Sequence, residues 1–163
     1  ISPVEVLMTY DCANSEPAQV TTGLNTLLLS ASSSPVPDIV AMASTPSGDG
    51  ILNLAGTSGS NAFAVATVNV GSTATITASP RTSLPLNLTL TICETNPGTG
   101  VCLSAPASDT TNPVSGGTTP MYSVFVTATG NVPFDPANNR IIVEFKDAGG
   151  VVRGATSVAV RTQ

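Results

Sequence analysis

The chain has 163 residues, ten acidic, five basic and none of them histidine, for a formal charge of −5. Without His there is no Ser-His-Asp or Cys-His nucleophilic site and no His-ligated zinc centre. A pI near 4.2 with no basic cluster repels a phosphate backbone, which excludes nucleic acid as a partner. Apolar residues at 41% and charged residues at 9% describe one buried core under a surface of hydroxyls rather than ions, as in an exported protein.

In chain order, Val4, Val6, Met8 and Tyr10 fall on one side and Glu5 and Thr9 on the other, so residues 3–10 are predicted to form a strand. Joined to the body by a polar connector, such a strand suits addition to a neighbouring sheet, which makes Val4, Val6, Met8 and Tyr10 strand-exchange candidates. Pairing within the strand's own sandwich is the competing reading. Residues 11–23 form the polar connection, and Leu24 to Ser32 is a short apolar run between breakers, expected as a buried strand.

Ser33-Ser34-Pro35-Val36-Pro37 is the best internal boundary, because its prolines remove ladder donors and hold their predecessors extended. It divides the chain into an N-terminal strand segment and connector, 1–37, and a sandwich core, 38–163. The first segment is expected to add strands to the edge of the core or to reach a neighbour. Ile39 to Ala43 and Ile51 to Ala55 flank the turn Pro46 to Gly50, as a hairpin or as a strand that switches sheets. Two further strands, Ala62 to Val70 and Thr73 to Ala78, are separated by Gly71-Ser72.

Leu86, Leu88, Leu90 and Ile92 then share one parity, with Asn87, Thr89, Thr91 and Cys93 on the other. The turn Asn96 to Gly100 sends the chain back through Val101-Cys102-Leu103. This reads as a hairpin stapled by a Cys93–Cys102 disulfide, with two buried free thiols as the alternative. A persistent disulfide belongs to an oxidising compartment, so the expected location is extracellular or the bacterial cell surface. Cys12 is left over; burial is expected first and a bond to another molecule second.

Ala105 to Pro120, with no period, is expected as an exposed loop. Tyr122, Val124 and Val126 mark one face of the next strand, and Ile141, Val143 and Phe145 one face of another. The latter turns at Asp147 to Gly150 and pairs with Val151 to Thr162. Roughly nine or ten short strands with frequent turn signals and no helical period predict an all-β fold, an immunoglobulin-like antiparallel β-sandwich. No apolar run approaches the roughly 20 residues of a membrane helix. Nor does a signal-peptide pattern open the chain at Ile1, so any such signal is expected to have been removed.

The acids sit mainly in turns and assemble no catalytic set, so the chain is not expected to be an enzyme; a carboxylate-only hydrolase is the one class left open. No cofactor is implied. For calcium, the PFDPANN loop offers Asp135, Asn138 and Asn139, against the plainer reading of these as Asx turns. Phe63, Phe125 and Phe145 fall on strand patterns and are assigned to the core. Tyr10, Tyr122 and Phe134 remain as aromatics for a polysaccharide ligand.

The chain resembles the immunoglobulin-like modules of large bacterial surface and secreted proteins. The resemblance lies in NAFAVATVNVG (Asn61 to Gly71), the following TATITA, the Cys-bounded segment, and PFDPANNRIIVEFKDAGGVVRGATSVAV near the end. It implies a structural subunit or module of an extracellular fibre or adhesive surface protein, associating with itself or with neighbouring modules by head-to-tail strand addition. A carbohydrate-binding or spacer module of a larger secreted protein is the alternative.

Overall fold

The computed structural model describes residues 1–21 and 25–163. Among them are eleven strands and one short 3-10 turn, Gly56–Ser58. No helix among the described residues is long and apolar enough to cross a membrane.

Nine strands make two packed sheets. The four-stranded sheet has the order β3 (Ile39–Ser44), β5 (Ser60–Asn69), β9 (Met121–Ala128) and β7 (Leu88–Thr95), all antiparallel. The five-stranded sheet has the order β4 (Ile51–Leu54), β11 (Val152–Thr162), β10 (Arg140–Asp147), β6 (Ala74–Thr82) and β8 (Thr110–Val114), with β4 parallel to β11. The order β3-β5-β9-β7 facing β11-β10-β6 is that of an immunoglobulin-like sandwich, with β4 and β8 added at the edges of the second sheet.

Period-2 alternation builds the core. Phe63 and Val65 of β5, Tyr122, Val124 and Val126 of β9, and Ile92 of β7 face Ile76 of β6, Ile141, Val143 and Phe145 of β10, and Val158 and Val160 of β11. Where β3 passes β11 the backbones nearly touch. A Cβ on Gly154 would stand 2.0 Å from the Ile39 carbonyl oxygen, so only glycine fits there. Asn69, fully buried, knots the same end of the sandwich. Its Nδ2 donates to the carbonyls of Ser72 (2.8 Å) and Val114 (3.2 Å), and its Oδ1 accepts from the amides of Gly71 (3.0 Å) and Asp38 (3.2 Å).

Two sequence expectations need correction here, and one open alternative is decided. The segment 105–120 is not all loop, because β8 lies within it and pairs with β6. An edge strand bonds on one side only, so its Pro113 and polar residues cost little and leave no apolar period to read. The segment returning from Asn96 to Gly100 forms no second strand: it meets β7 at two isolated bridges, Thr95 to Cys102 and Ile92 to Ala107. Of the two readings of 39–55, sheet switching is the one observed, since β3 and β4 belong to different sheets.

The N-terminal segment departs furthest from expectation. β1 (Val4–Leu7) and β2 (Thr26–Leu29) pair antiparallel with each other, Val4 opposite Leu29 and Val6 opposite Leu27, as a separate two-stranded ribbon. Neither strand joins an edge of the sandwich. Met8 and Tyr10 lie beyond the strand, with the Tyr10 hydroxyl 3.7 Å from the Met8 sulfur. The start of the predicted strand at Leu24 lies outside the described residues.

Candidate functional site: the N-terminal ribbon and the sheet beneath it

The outer face of the five-stranded sheet is the charged face of the molecule. All five basic residues of the chain lie on its strands: Arg81 on β6, Arg140 and Lys146 on β10, Arg153 and Arg161 on β11. Register places Arg81 beside Ile142, and alternation puts Glu144 on the same side of β10. Arg81 holds Glu144 through Nε and Nη2, both 2.7 Å from Oε1, and Lys146 Nζ lies 2.8 Å from Oε2. Burial pushes the Glu144 carboxyl up, but the bonds from Lys146 and Arg81 outweigh it and hold it below the ordinary range.

The ribbon lies over this face. Glu5 and Leu28, a register pair, together with Pro3 and Thr26, line a groove of about 480 Å³ whose floor includes Arg81, Ile142 and Glu144. Thr26 Oγ1 donates a hydrogen bond to the Glu5 carboxylate inside it. Ile142 points away from the core, yet it is only 5% exposed. The ribbon segment is acidic and carries no base: residues 1–37 contribute Glu5, Asp11 and Glu16. A segment with acidic and no basic side chains therefore sits on the sheet that holds every cationic side chain of the chain.

The groove decides which side of β1 meets the body. Glu5 and Leu28 face the groove, while Leu7 at the end of the strand is 66% exposed, Val4 faces out and Val6 is half-buried. With Leu27 and Leu29, Val4 and Val6 form one apolar face, on which Val4 is 53%, Leu27 50% and Leu29 49% exposed. Alternation marked which residues share a face, but the register with β2, which sets Glu5 opposite Leu28 over the groove, decided which face turned inward. The signal that could have shown it was already present: Leu27 and Leu29 share a parity with each other, as Val4 and Val6 do, and the only strand charge, Glu5, lies opposite.

The remaining candidates lie apart from this groove. Tyr122 is 2% exposed and packs on Phe145, so it is a core residue and not a ligand platform. Its strand pairs on both sides and its parity is that of Val124 and Val126. Phe125, expected in the core, has the opposite parity and points out of the four-stranded sheet. Phe134 is exposed beneath the Arg161 guanidinium, 4.8 Å from the ring centroid. Tyr10 is exposed on the connector.

Asp135, Asn138 and Asn139 form an Asx turn. Asp135 Oδ1 accepts from the Asn138 amide (3.2 Å) and Oδ2 from the Asn138 side chain (2.9 Å), while Asn139 Nδ2 donates to the Pro133 carbonyl (2.9 Å). Both carboxylate oxygens are directed into the turn itself. Cys93 and Cys102 are bonded, with Cα atoms 5.7 Å apart. Cys12 is exposed, against the expectation of burial, because the tight turn from Cys12 to Ser15 projects from the connector rather than packing on the sandwich.

No protein-family model matches the chain, and no curated protein does. Among solved structures, the chain is similar to WR4, a C. elegans MSP family member, at 9% identity, covering 78% of this chain and 97% of that one with a TM-score of 0.40. It is also similar to the N-terminal domain of PorA, at 8% identity over 76% and 98% with a TM-score of 0.45. A third is AvmM, which catalyses macrocyclization in alchivemycin A biosynthesis, at 13% identity over 77% and 88% with a TM-score of 0.45. Likenesses this distant say nothing of activity or partners, and the fold assignment rests on the strand order given above.

Proposed function

We propose that this chain is a structural module of an extracellular bacterial fibre or adhesive surface protein, and that it associates with its neighbours through the N-terminal ribbon. The observation that carries the reading is the outward apolar face of Val4, Val6, Leu27 and Leu29. A two-stranded ribbon is marginal by itself, and an apolar face left in water on such an element marks a contact surface. The Cys93–Cys102 bond supports an oxidising location.

A catalytic role is not part of this reading. Glu5 and Glu144 line one groove, but the ionised member of a hydrolase pair must be free to attack or to take a proton. Glu144 is held ionised between Arg81 and Lys146. Light scattering across a concentration series, with negative-stain microscopy of native surface material, tests the proposal. Concentration-dependent polymers lost on removal of residues 1–31 support it. A monomer at every concentration, with the protein recovered only from cytosol, overturns it.

A further inference from the structure

A guanidinium taken out of water needs a countercharge, or an acceptor for each of its roughly five N–H groups. Arg140, at the start of β10, is only 4% exposed and has neither in full. Its Nε donates to Ser157 Oγ (3.1 Å), Nη2 to the same oxygen (3.0 Å) and to the Ser157 carbonyl (3.3 Å), and Nη1 to the Pro136 carbonyl (2.7 Å). All of these acceptors are neutral, and the two hydrogens on Nη1 share one acceptor. The ion pairs among the described residues leave Arg140 out, so burial works against its charge with no acid beside it.

Arg140 lines a hollow of about 320 Å³ on the outer face of the five-stranded sheet, which shares Arg81 and Ile142 with the groove under the ribbon. Register sets Arg81 opposite Ile142, and the Ser83 amide donates to the Arg140 carbonyl (2.9 Å). The two arginines are therefore diagonal neighbours on one face. Arg81 gives Nε and Nη2 to Glu144, which leaves its Nη1 for another acceptor. The rest of the described lining is neutral, and no carboxylate is part of it.

We propose that this hollow binds one oxyanion group, a carboxylate or a sulfate, on a ligand about the size of a single acidic sugar. The anion supplies the countercharge that Arg140 lacks, and its oxygens accept charge-assisted hydrogen bonds from Nη1 of both arginines. The volume lies at the lower end of the roughly 300–1,000 Å³ of small-ligand sites, which sets the size limit. With a formal charge of −5 the chain repels anions at a distance, so selection is local, where the two guanidinium groups adjoin. The site stands whether or not the chain forms fibres.

The test titrates the full, nitrogen-15-labelled chain with sodium glucuronate, sodium sulfate and sodium chloride at matched ionic strength, and follows the arginine Nε–H signals by NMR. Glucuronate or sulfate should shift the Arg81 and Arg140 signals saturably, and chloride should not. Binding of both identifies the ligand group as any small oxyanion, binding of glucuronate alone as a sugar acid, and binding of sulfate alone as a sulfate ester; each supports the proposal. Arg81→Gln, at a side chain 46% exposed, should fold and weaken binding about tenfold or more, the worth of one charge-assisted hydrogen bond. Glu144→Gln removes the acid that competes for Arg81 and should tighten it. Arg140→Gln should abolish it, with circular dichroism to confirm folding; if that variant does not fold, Arg81→Gln and Glu144→Gln carry the test. A purely structural Arg140 predicts no saturable shift with any anion, and that result overturns the proposal. So does an equal response to chloride, or a glucuronate or sulfate affinity unchanged in Arg81→Gln.

Discussion

The ring of Tyr122 on β9 and the ring of Phe145 on β10 meet across the interior, with centroids 5.4 Å apart and planes at 58°. One belongs to the four-stranded sheet and the other to the five-stranded sheet, so this pair of large, fully buried side chains bridges the two layers. The rest of the core is mostly Val, Ile and Ala, with few side chains able to fill a gap. Either residue changed to Ala should cost about 3–5 kcal/mol, and the double variant should cost less than the sum because the two touch. Urea titration of the three variants measures this.

Asn69 should be as sensitive as an aromatic despite its size. Asn69→Ala leaves two carbonyls and two amides without their partner at a buried site, for a loss of about 1–3 kcal/mol. Asn69→Asp keeps the acceptor but loses both donated bonds and buries a charge, so it should be worse. The order Asn, Ala, Asp in thermal midpoint is the readout.

Removing the Cys93–Cys102 bond by the double substitution to Ala should cost about 2–3 kcal/mol, from the freedom returned to a short loop in the unfolded chain. The loss should appear in the urea midpoint, with the sandwich still folded, because β7 keeps its ladder with β9.

Stability should depend on pH through three acids acting in two directions. Glu144 is held below its ordinary range as described. Asp147 is also raised by burial, but Arg153 and the amides of Val151 and Gly149 prevail and lower it. For both, the folded state favours ionisation, so their stabilisation is present above the ordinary carboxylate value and is lost as pH falls below about 4. Glu94 is the reverse. Burial raises it, so its folded form favours the proton, and stability falls as pH rises through its folded pKa. Asn112 Nδ2 donates to Glu94 Oε2 at 2.6 Å, a bond that Gln can still accept. Glu94→Gln should therefore raise Tm at pH 7, while Glu144→Gln should flatten the decline in acid.

Hydrogen exchange should divide the chain near residue 38. Amides of β1 and β2, whose ladder is four residue pairs long, should exchange orders of magnitude faster than those of β5, β9, β10 and β11. Equal protection in the ribbon and the core would contradict its status as a separately held element.

The sandwich was legible because its central strands obey a strict period. Tyr122, Val124 and Val126 declared the core face of β9, and Ile141, Val143 and Phe145 that of β10. Elements decided by neighbours rather than by their own pattern were not legible. Thr110 to Val114 has no apolar alternation and is a strand only because β6 offers it an edge. Val4 and Val6 were grouped correctly, but a period cannot say which side of a strand meets the body when the groove it meets mixes Arg81 and Glu144 with Ile142, Val151, Val152 and Ala155. Ile142 carries the same lesson. Its neighbours Ile141 and Val143 occupy the core, and its own burial depends on a segment more than a hundred residues away in sequence. Cys93 and Cys102 were found because a turn of Asn, Pro and Gly between two cysteines restricts geometry locally. Tyr122 drops out of the aromatic candidates because residue type alone does not report exposure, whereas Tyr10 and Phe134 are exposed.

The parallel pairing of β4 with β11 has a mechanical consequence. The last strand lies between β4 and β10, so tension on its end loads two ladders in shear at once. The ribbon at the other end is fixed mainly by side chains and would peel away at low force. That release would free about 100 Å of slack from some thirty residues before the sandwich bore any load.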